Sequence, residues 1–404
     1  MTAISSSDAI GTWLEPLRPL IDPASRLDWP RLAALAAAID GAAETYPIAA
    51  EIGRRPGEQL RAIRIELANH GLLDTDGQPA LFAVLAQFVC GYRDIDLRDC
   101  TGLGHGALVA RYGGSALRRH WIPRLLAGEL AGIAITEATG GSNPAATRTR
   151  AVSTPDGTWH VTGSKNWISR LSEAAVFVVF LRDPDGGLAA AAVDAGEPGL
   201  HRRLIAPAGL AGWDWGILDL DSVPVRPDDV LRGKGMTLLR RHFAGYRPLV
   251  TATAVGGAAA LFDSVTAALA DRHATGGVAR LRDTALLPVG RAHAQLTSAL
   301  LGAAAAAALA ESGHPRAERW SAGTKANGTD LANRVAADLM PLVGAAGFRA
   351  DSPLIKIRRD LGGLIYADGI HDSLYRAAGR QHIAHADTVT SSRQPASQRS
   401  PLSA

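Results

Sequence analysis

Residues 133–151, IAITEATGGSNPAATRTRA, combine polar side chains and glycines in a way that suggests a ligand site. Thr136 and Glu137 leave a short β-branched run, and Gly140, Gly141 and Ser142 follow in a turn. Backbone N–H groups exposed in such a turn can face an anion. Taken alone, the segment fits an ordinary β-turn equally well, because glycine and serine favour turns without any ligand.

A second candidate is Lys165–Ser169, KNWIS, where Trp167 ends an alternating run. A tryptophan in such a hairpin is usually part of a core. It can also form a wall against a flat ring system, since the indole face stacks on aromatic groups. Asp368-Gly369, in the segment IYADGIHD, is a turn signal before the helical pattern of DSLYRAAGRQHI.

A third pattern, from Gly102 to Ala107, fits the loose dinucleotide signature G-x-G-x-x-G/A. That signature requires a preceding strand within a βαβ unit. The preceding residues, FAVLAQFVCGYRDIDL, have helical spacing instead. We therefore interpret the glycines as a connection between helices.

The elements that must position these residues fall into three regions. Residues 1–130 have helical spacing, residues 131–233 consist of short β-branched runs separated by turns such as PDG and DPDGG, and residues 234–388 are again helical. Residues 389–404 are rich in Ser, Arg, Pro and Gln, which predicts a disordered tail. The order predicts an α+β fold.

Composition excludes several classes of protein. The 404 residues include 42 basic and 39 acidic side chains, and no basic stripe with interleaved aromatics indicates nucleic-acid binding. The two cysteines, Cys90 and Cys100, cannot form a disulfide framework, and the histidines lack metal-ligand spacing, so we predict no metal. The start lacks signal-peptide features, and Val250–Phe262 and Leu300–Ala310 are short for a membrane span, which predicts a soluble cytoplasmic protein.

Several segments between Gly106 and Gly369 occur together in one known family. IAITEATGGSN followed by VTGSKNWIS resembles the acyl-CoA dehydrogenase family, whose pattern is Thr-Glu-x-x-x-Gly-Ser-Asp and then a strand ending in Trp-Ile-Thr or Trp-Ile-Ser. GALVARYGGSALRRHWIPRLLAGEL precedes them, and further similar segments follow in the family's order: GLAGWDWGILDLDSVPVRPDDVL, FAGYRP, DRHATG, SAGTKAN, PLVGAAGF, IRRD and IYADG.

The resemblance implies an N-terminal helical domain, a middle β-barrel or sandwich, and a C-terminal four-helix bundle. It also implies FAD between the β domain and the bundle, in a homodimer or homotetramer. By position, the side chains expected around FAD are Ile133, Ile135, Thr136, Gly141, Ser142, Trp167, Ser169, Arg272, Gly344, Ala345, Ile370 and Asp372, with Arg272 reaching the FAD of a neighbouring subunit. Ser142 and Gly369 would also lie near the substrate thioester.

The activity that the resemblance implies is α,β-dehydrogenation of an acyl thioester, which requires a base for the α-proton. The family often places a Glu in the loop after its Arg-Asp motif, and the matching residue here is Asp368, with Arg247 as the arginine that would keep it ionised. The alternative is that Asp368 only caps the turn. His371 could tune the base, although a solvated loop histidine is the more common case.

The chain departs from the family pattern at several positions. Asn143 stands where the family has Asp, Thr275 where it has Phe, and Ile370 where it has Thr. These changes suggest a divergent biosynthetic member whose acyl group is carried on CoA or on an acyl or peptidyl carrier protein, which Arg240-Arg241 and Arg358-Arg359 could receive. An electron-transfer flavoprotein or O2 would accept the electrons. The alternatives are a flavin monooxygenase on this fold and a non-catalytic relative.

Overall fold

The computed structural model describes residues 4–48, 56–140, 143–277 and 280–393. Its helices and strands confirm the α+β class and the order of helical, β and helical regions. The N-terminal helices are Ser6–Ala9 (α1), Arg18–Ile21 (α2), Trp29–Thr45 (α3), Gly57–Asn69 (α4), Ala80–Arg93 (α5), Ala107–Tyr112 (α6) and Ser115–Leu126 (α7). Most of α5 is buried, which explains the apolar run that surrounds Cys90.

The middle region is a seven-stranded mixed sheet. Its strands are Leu130–Ala134 (β1), Arg150–Ser153 (β2), Trp159–Ser169 (β3), Ala174–Arg182 (β4), Leu188–Asp194 (β5), Leu200–Ile205 (β6) and Trp215–Val225 (β7). The pairing order is β1-β4-β2-β3-β7-β6, with β5 on the other edge of β4. β1 runs parallel to β4, whereas β3 and β7 form a long antiparallel pair.

The strand β4 is apolar at almost every position because both of its faces are covered. Phe177, Val179 and Leu181 point into the core of the β region. Val176 and Val178, on the opposite face, belong to the core that the helices share. Side chains alternate between faces along a strand, so a continuous apolar run is expected where both faces are buried. The β region is therefore packed against the helices.

The C-terminal region is built from Gly235–Ala274 (α8), Asp283–Glu311 (α9), Ala317–Leu339 (α10), Pro353–Leu364 (α11) and His371–Arg393 (α12). The helices α8, α9 and α10 pack on one another, and α12 packs on α10 to complete the bundle. The short helix α11 lies against α8 and α10 and follows the 3-10 segment Met340–Phe348.

The last helix corrects the start of the predicted tail. Composition placed that start at residue 389, but α12 continues to Arg393. Once a helix is nucleated, adding residues costs little, so polar residues without proline can extend it beyond the packed turns. Residues 394–404 of the predicted tail lie outside the described part of the chain.

Two helices are longer than the apolar runs that the sequence suggested. Both α8 and α9 are long and apolar enough, by length and composition, to cross a membrane. The expectation that no stretch is long enough was therefore wrong, because polar residues within each helix interrupt the run but not the helix. The apolar window of α8 is 67% buried inside the fold, and that of α9 is 39% buried.

The helices α5 and α8 cross at unusually close range. A Cβ on Gly256 of α8 would overlap the main-chain oxygen of Phe88, and a Cβ on Gly91 of α5 would overlap that of Thr253. The missing side chains let the two backbones touch. This crossing joins the N-terminal region to the bundle directly beside the pocket described below.

We expect Gly256→Ala to destabilise the protein by about 1–3 kcal/mol, because the added methyl must push the two helices apart. The matched control is Gly245→Ala on the same helix, where a Cβ meets nothing within 4 Å. Replacing an exposed helical glycine by alanine is neutral or stabilises by up to about 1 kcal/mol. Urea unfolding of both variants measures the difference, and equal stabilities would contradict the close crossing.

Candidate active site

A buried ion pair joins the three regions of the chain. Asp99, which follows α5, accepts a hydrogen bond from Arg170, which directly follows β3. Tyr246 of α8 donates its hydroxyl to both Asp99 oxygens, at 2.7 and 2.8 Å. Each region therefore contributes one member to a single polar group.

The charge on Asp99 depends on these partners. Burial alone would raise the pKa of its carboxyl, but the nearby cations, Arg170 foremost, and the Tyr246 hydrogen bond together outweigh burial and lower the pKa to about 2. Asp99 and Arg170 also have positive φ, at 61° and 58°. The surrounding packing must hold both residues in this costly left-handed conformation.

Lys356 of α11 forms a second junction. Its ammonium lies 2.7 Å from Asp94, 2.8 Å from Asp96 and 2.7 Å from Asp360. The other Asp360 oxygen accepts the main-chain N–H of Leu210 at 2.6 Å, in the loop before β7. The three carboxylates could hold a cation by their spacing, and the lysine ammonium takes that place. The Arg-Asp motif thus ties α11 to both other regions.

The loop between α11 and α12 carries Asp368 and is held from beneath by two cations. The fully buried Lys325 of α10 donates to the main-chain oxygens of Gly369, at 2.7 Å, and Ile365, at 3.2 Å. Arg247 of α8 donates through Nε to the main-chain oxygen of Asp368 at 3.2 Å. Sequence reasoning expected Arg247 to keep the carboxylate ionised, whereas its hydrogen bond goes to the backbone.

The side chain of Asp368 lines a small pocket that is partly open to solvent. Among the described residues its carboxylate accepts no hydrogen bond. Burial raises its pKa, against the opposing effect of Arg98 and Lys325. The pocket is lined by Gln87, Arg98, Asp99, Tyr246, Leu249, Val250, Thr253, Leu364 and Asp368.

The β region presents a second cluster of the expected residues. The main-chain N–H of Asn166 donates to the oxygen of Thr136 at 2.8 Å, which joins the end of β1 to β3. The next residue, Trp167, has φ of 57° where the pairing of β3 with β7 shifts, and its side chain is 56% exposed. Ile133 and Ile135 lie partly buried on the neighbouring chain segment. An indole face is therefore available beside Thr136.

Glu137 fixes the loop that follows Thr136. It accepts hydrogen bonds from the Thr147 and Thr149 hydroxyls and from the main-chain N–H groups of Arg148 and Thr149. Lys165 adds an ion pair at 2.9 Å. Burial would raise the pKa of Glu137, but these donors hold it well below its usual range. Glu137 thus ties the segment that follows β1 to residues 147–149.

Arg272, Gly344 and Ala345 form a third group. Arg272 donates to the main-chain oxygens of Leu342 and Val343, at 3.0 and 2.8 Å, beside an exposed kink at Gly344. Arg247 and Arg272 are separated by 25 residues of α8, or roughly 37 Å along the helix. One chain therefore does not bring this group to Asp368, and a role for Arg272 toward a neighbouring subunit stays a prediction.

The remaining predicted residues are dispersed. Gly141 and Ser142 lie outside the described residues. Ser169 accepts from Arg170 at 2.9 Å, close to the central ion pair. Ile370 ends the Asp368 loop, and Asp372 is exposed in the first turn of α12. His371 contacts Asp330 at 2.6 Å and Asp372 at 3.5 Å, which engages both of its ring nitrogens.

Sequence reasoning missed the pocket residues Arg98, Asp99 and Tyr246 and the partner Arg170. Arg98 and Asp99 follow an apolar helix in the segment IDLRDC. Arg170 and Tyr246 adjoin the motifs WIS and RP, in WISR and GYRP. Charged side chains next to buried runs were the available signal, because such groups are rarely buried without a partner. Which partner each one meets depends on tertiary contacts between regions.

Two family models match the middle and C-terminal regions of the chain. Residues 132–223 match the family model for the acyl-CoA dehydrogenase middle domain, and residues 233–381 match the model for the acyl-CoA dehydrogenase C-terminal domain. The probable acyl-CoA dehydrogenase FadE25 of Mycobacterium tuberculosis is 29% identical over 270 residues, which are 64% of this chain and 68% of that protein.

Two solved structures share the fold. An acyl-CoA dehydrogenase from Geobacillus kaustophilus superposes with a TM-score of 0.77 at 20% identity, over 88% of this chain and 98% of that one. A glutaryl-CoA dehydrogenase from Mycobacterium smegmatis, in complex with FADH2, gives 0.75 at 20% identity, over 90% and 96% of the two chains.

Asp99→Asn should destabilise the protein by about 3–5 kcal/mol, because it leaves the Arg170 guanidinium buried without its carboxylate. The control is Asp219→Asn, which breaks a 2.7 Å pair with an Arg203 side chain that is 63% exposed and should cost less than about 1 kcal/mol. Urea unfolding measures both variants. Similar losses in the two variants would argue against a structural role for the buried pair.

The wild-type protein should also lose stability in acid. The pKa of Asp99 is lower in the folded chain than its usual 3.8. Its contribution of about 2 kcal/mol is therefore complete above pH 3.8 and lost as pH falls through about 2. Asp99→Asn should lack this part of the pH dependence.

Proposed function

Because the chain belongs to the acyl-CoA dehydrogenase family, we propose that it catalyses FAD-dependent α,β-dehydrogenation of an acyl thioester. The observation that carries the proposal is Asp368, whose carboxylate lines a small pocket and has no hydrogen-bond partner among the described residues. A carboxylate held in that way is available to accept a proton from a bound substrate.

The residues on the β side fit a flat cofactor. Trp167 offers an exposed indole, and Thr136 supplies a hydroxyl on the segment that is bonded to Asn166. Ile133, Ile135 and Ser169 complete an edge suited to an isoalloxazine ring. FAD bound there would accept the β-hydrogen of the substrate as hydride.

Asp368 would remove the α-proton. The α C–H of a thioester is weakly acidic, so the base must be desolvated and correctly placed. Burial in the pocket raises the pKa of Asp368 and makes the carboxylate a stronger base. Arg98 and Lys325 oppose that shift and keep part of the ionised form available. The α C–H bond breaks, its electron pair forms the new double bond, and the proton moves to the carboxylate.

Lys325 and Arg247 would act as positioning residues. They bind the main-chain oxygens of Gly369 and Asp368, and both of these residues have positive φ, at 110° and 56°. Such a loop would relax if its carbonyl oxygens lost their donors. Burial also lowers the pKa of Lys325 to about 7. Its hydrogen bonds to the main-chain oxygens of the loop therefore weaken as pH rises above neutrality, because the neutral amine is a poorer donor.

The thioester carrier is the finer part of the proposal. The substrate pocket accepts the acyl group, while CoA or a carrier protein would remain outside it. Arg240, Arg241 and Arg358 are exposed and would favour an acidic carrier protein. A panel of acyl-CoA and carrier-bound thioesters, with electron-transfer flavoprotein or O2 as the acceptor, separates these possibilities.

Asp368→Asn should slow anaerobic reduction of bound flavin by an acyl thioester about 10²–10⁴-fold, because the amide cannot accept the α-proton. Asp338→Asn, an exposed carboxylate on α10, serves as the control and should react like wild type. Stopped-flow absorbance follows the flavin, and FAD content shows that both variants are folded.

The pH profile supplies the matching signature. Only the ionised carboxylate accepts a proton, so the wild-type rate should fall as pH drops through a pKa above 3.8. Flavin that no thioester reduces, but that reduced nicotinamide with a reductase does reduce, would favour a monooxygenase. Failure of the protein to bind FAD would contradict both the dehydrogenase and the monooxygenase function.

Trp167→Ala should weaken FAD binding about 10-fold, since the ring would lose its stacking surface. Trp320→Ala is the matched control, because that indole is 51% exposed on α10, away from β3. Titration of the apoprotein with FAD, followed by flavin fluorescence, gives both affinities without any turnover. Unchanged affinity in the Trp167 variant would remove the stacking role.

A further inference from the structure

Arg98 is the pocket residue that the proposed reaction leaves without a binding role. The residue is 6% exposed, and its Nε and Nη2 atoms have no hydrogen-bond partner in the described part of the chain. A buried guanidinium without acceptors is unfavourable, because water satisfied its donors before folding. Free donors of this kind in a cavity indicate that a ligand supplies the acceptor.

The nearby carboxylates do not satisfy Arg98. Both oxygens of Asp99 are engaged by Tyr246, and one also binds Arg170. Among the described residues no ion pair within 4.0 Å joins Arg98 to Asp99 or to Asp368. The guanidinium instead lies over the ring of Trp215, 5.3 Å from its centroid. The indole orients the planar group while leaving its edge free.

The pocket wall has an aliphatic side and a polar side. Leu249, Val250 and Leu364 form an aliphatic side suited to methylene groups. Gln87 and Thr253 form a polar side and are bonded to each other at 3.2 Å. A pocket for an unsubstituted hydrocarbon chain would gain nothing from a buried cation. The lining therefore favours an acyl chain with a polar end.

The charge around the pocket points to the sign of that end. Arg98 is the cation among the lining residues, beside two carboxylates, Asp99 and Asp368. Asp99 is neutralised by Arg170, and Asp368 must stay free to act as a base. An anionic group on the substrate would therefore balance the charge of the Arg98 guanidinium.

On the basis of the proposed function, we infer that Arg98 binds a carboxylate at the far end of the acyl chain. The preferred substrate class is then the monothioester of a dicarboxylic acid. A planar guanidinium offers a carboxylate two parallel N–H donors, which gives both energy and orientation. With the chain end fixed at Arg98, the α-carbon would be presented to Asp368 along the aliphatic wall.

The test compares two CoA thioesters on the wild-type holoenzyme, an ω-carboxyacyl thioester and the alkanoyl thioester of the same length. We expect kcat/KM for flavin reduction to favour the carboxyacyl thioester by about 10- to 100-fold, mainly through KM. Arg98→Met should lower kcat/KM for the carboxyacyl thioester about 10- to 100-fold more than for the alkanoyl thioester, because both reactions lose the charge that helps to ionise Asp368 but only the first loses a binding partner. Arg98→Lys, which keeps the charge without the planar fork, should restore part of the preference.

Arg61→Met, an exposed arginine on α4, is the control and should leave the preference unchanged. A preference for the alkanoyl thioester in the wild type would overturn the inference and leave the proposed dehydrogenation intact. An equal loss on both thioesters in Arg98→Met and Arg98→Lys would also overturn it, since Arg98 would then act on a group common to all substrates. Failure of every thioester to reduce the flavin would instead overturn the proposed function.

Discussion

The buried pair of Asp99 and Arg170, closed by the Tyr246 hydroxyl, is the constraint on which the site depends. Each partner comes from a different region, so the pair forms only when the helices, the sheet and the bundle are in register. A half-satisfied buried ion pair is strongly unfavourable. The interaction therefore penalises any arrangement in which the regions dock incorrectly. Asp99 and Tyr246 also line the pocket that contains Asp368, so the position of the pocket depends on this pair.

The same constraint explains how a reactive carboxylate can remain unpartnered. Asp368 lies near several cations, yet Arg170 is taken by Asp99, while Lys325 and Arg247 are bound to the main chain of the loop. The backbone contacts hold the loop, and the carboxylate retains a raised pKa. Positioning and basicity are thus supplied by different atoms of the same segment. This separation lets burial raise the pKa of the carboxylate, although the charges of Arg98 and Lys325 oppose part of the rise.

The elements that could be predicted from the sequence are those that follow from a local pattern of apolar and polar residues. Alternating runs indicated the strands, helical spacing indicated the bundle, and the Thr-Glu and Trp-Ile-Ser motifs indicated the loop beside Trp167. It could not predict that Arg98 has free donors or that Arg247 binds a main-chain oxygen, because both depend on distances between regions. The lengths of α8 and α9 were also underestimated from the sequence, because polar residues interrupt their apolar runs without ending the helices.

The central claim is that Asp368 takes the α-proton of an acyl thioester in this pocket. The most direct measurement is the rate of anaerobic flavin reduction with a substrate deuterated at the α-carbon, compared with the unlabelled thioester. We expect α-deuteration to slow flavin reduction in the wild-type holoenzyme, because the α C–H bond breaks in the step that transfers the hydride. Flavin reduction at equal rates, with both α-deuterium atoms retained in the product of a doubly α-deuterated thioester, would contradict it.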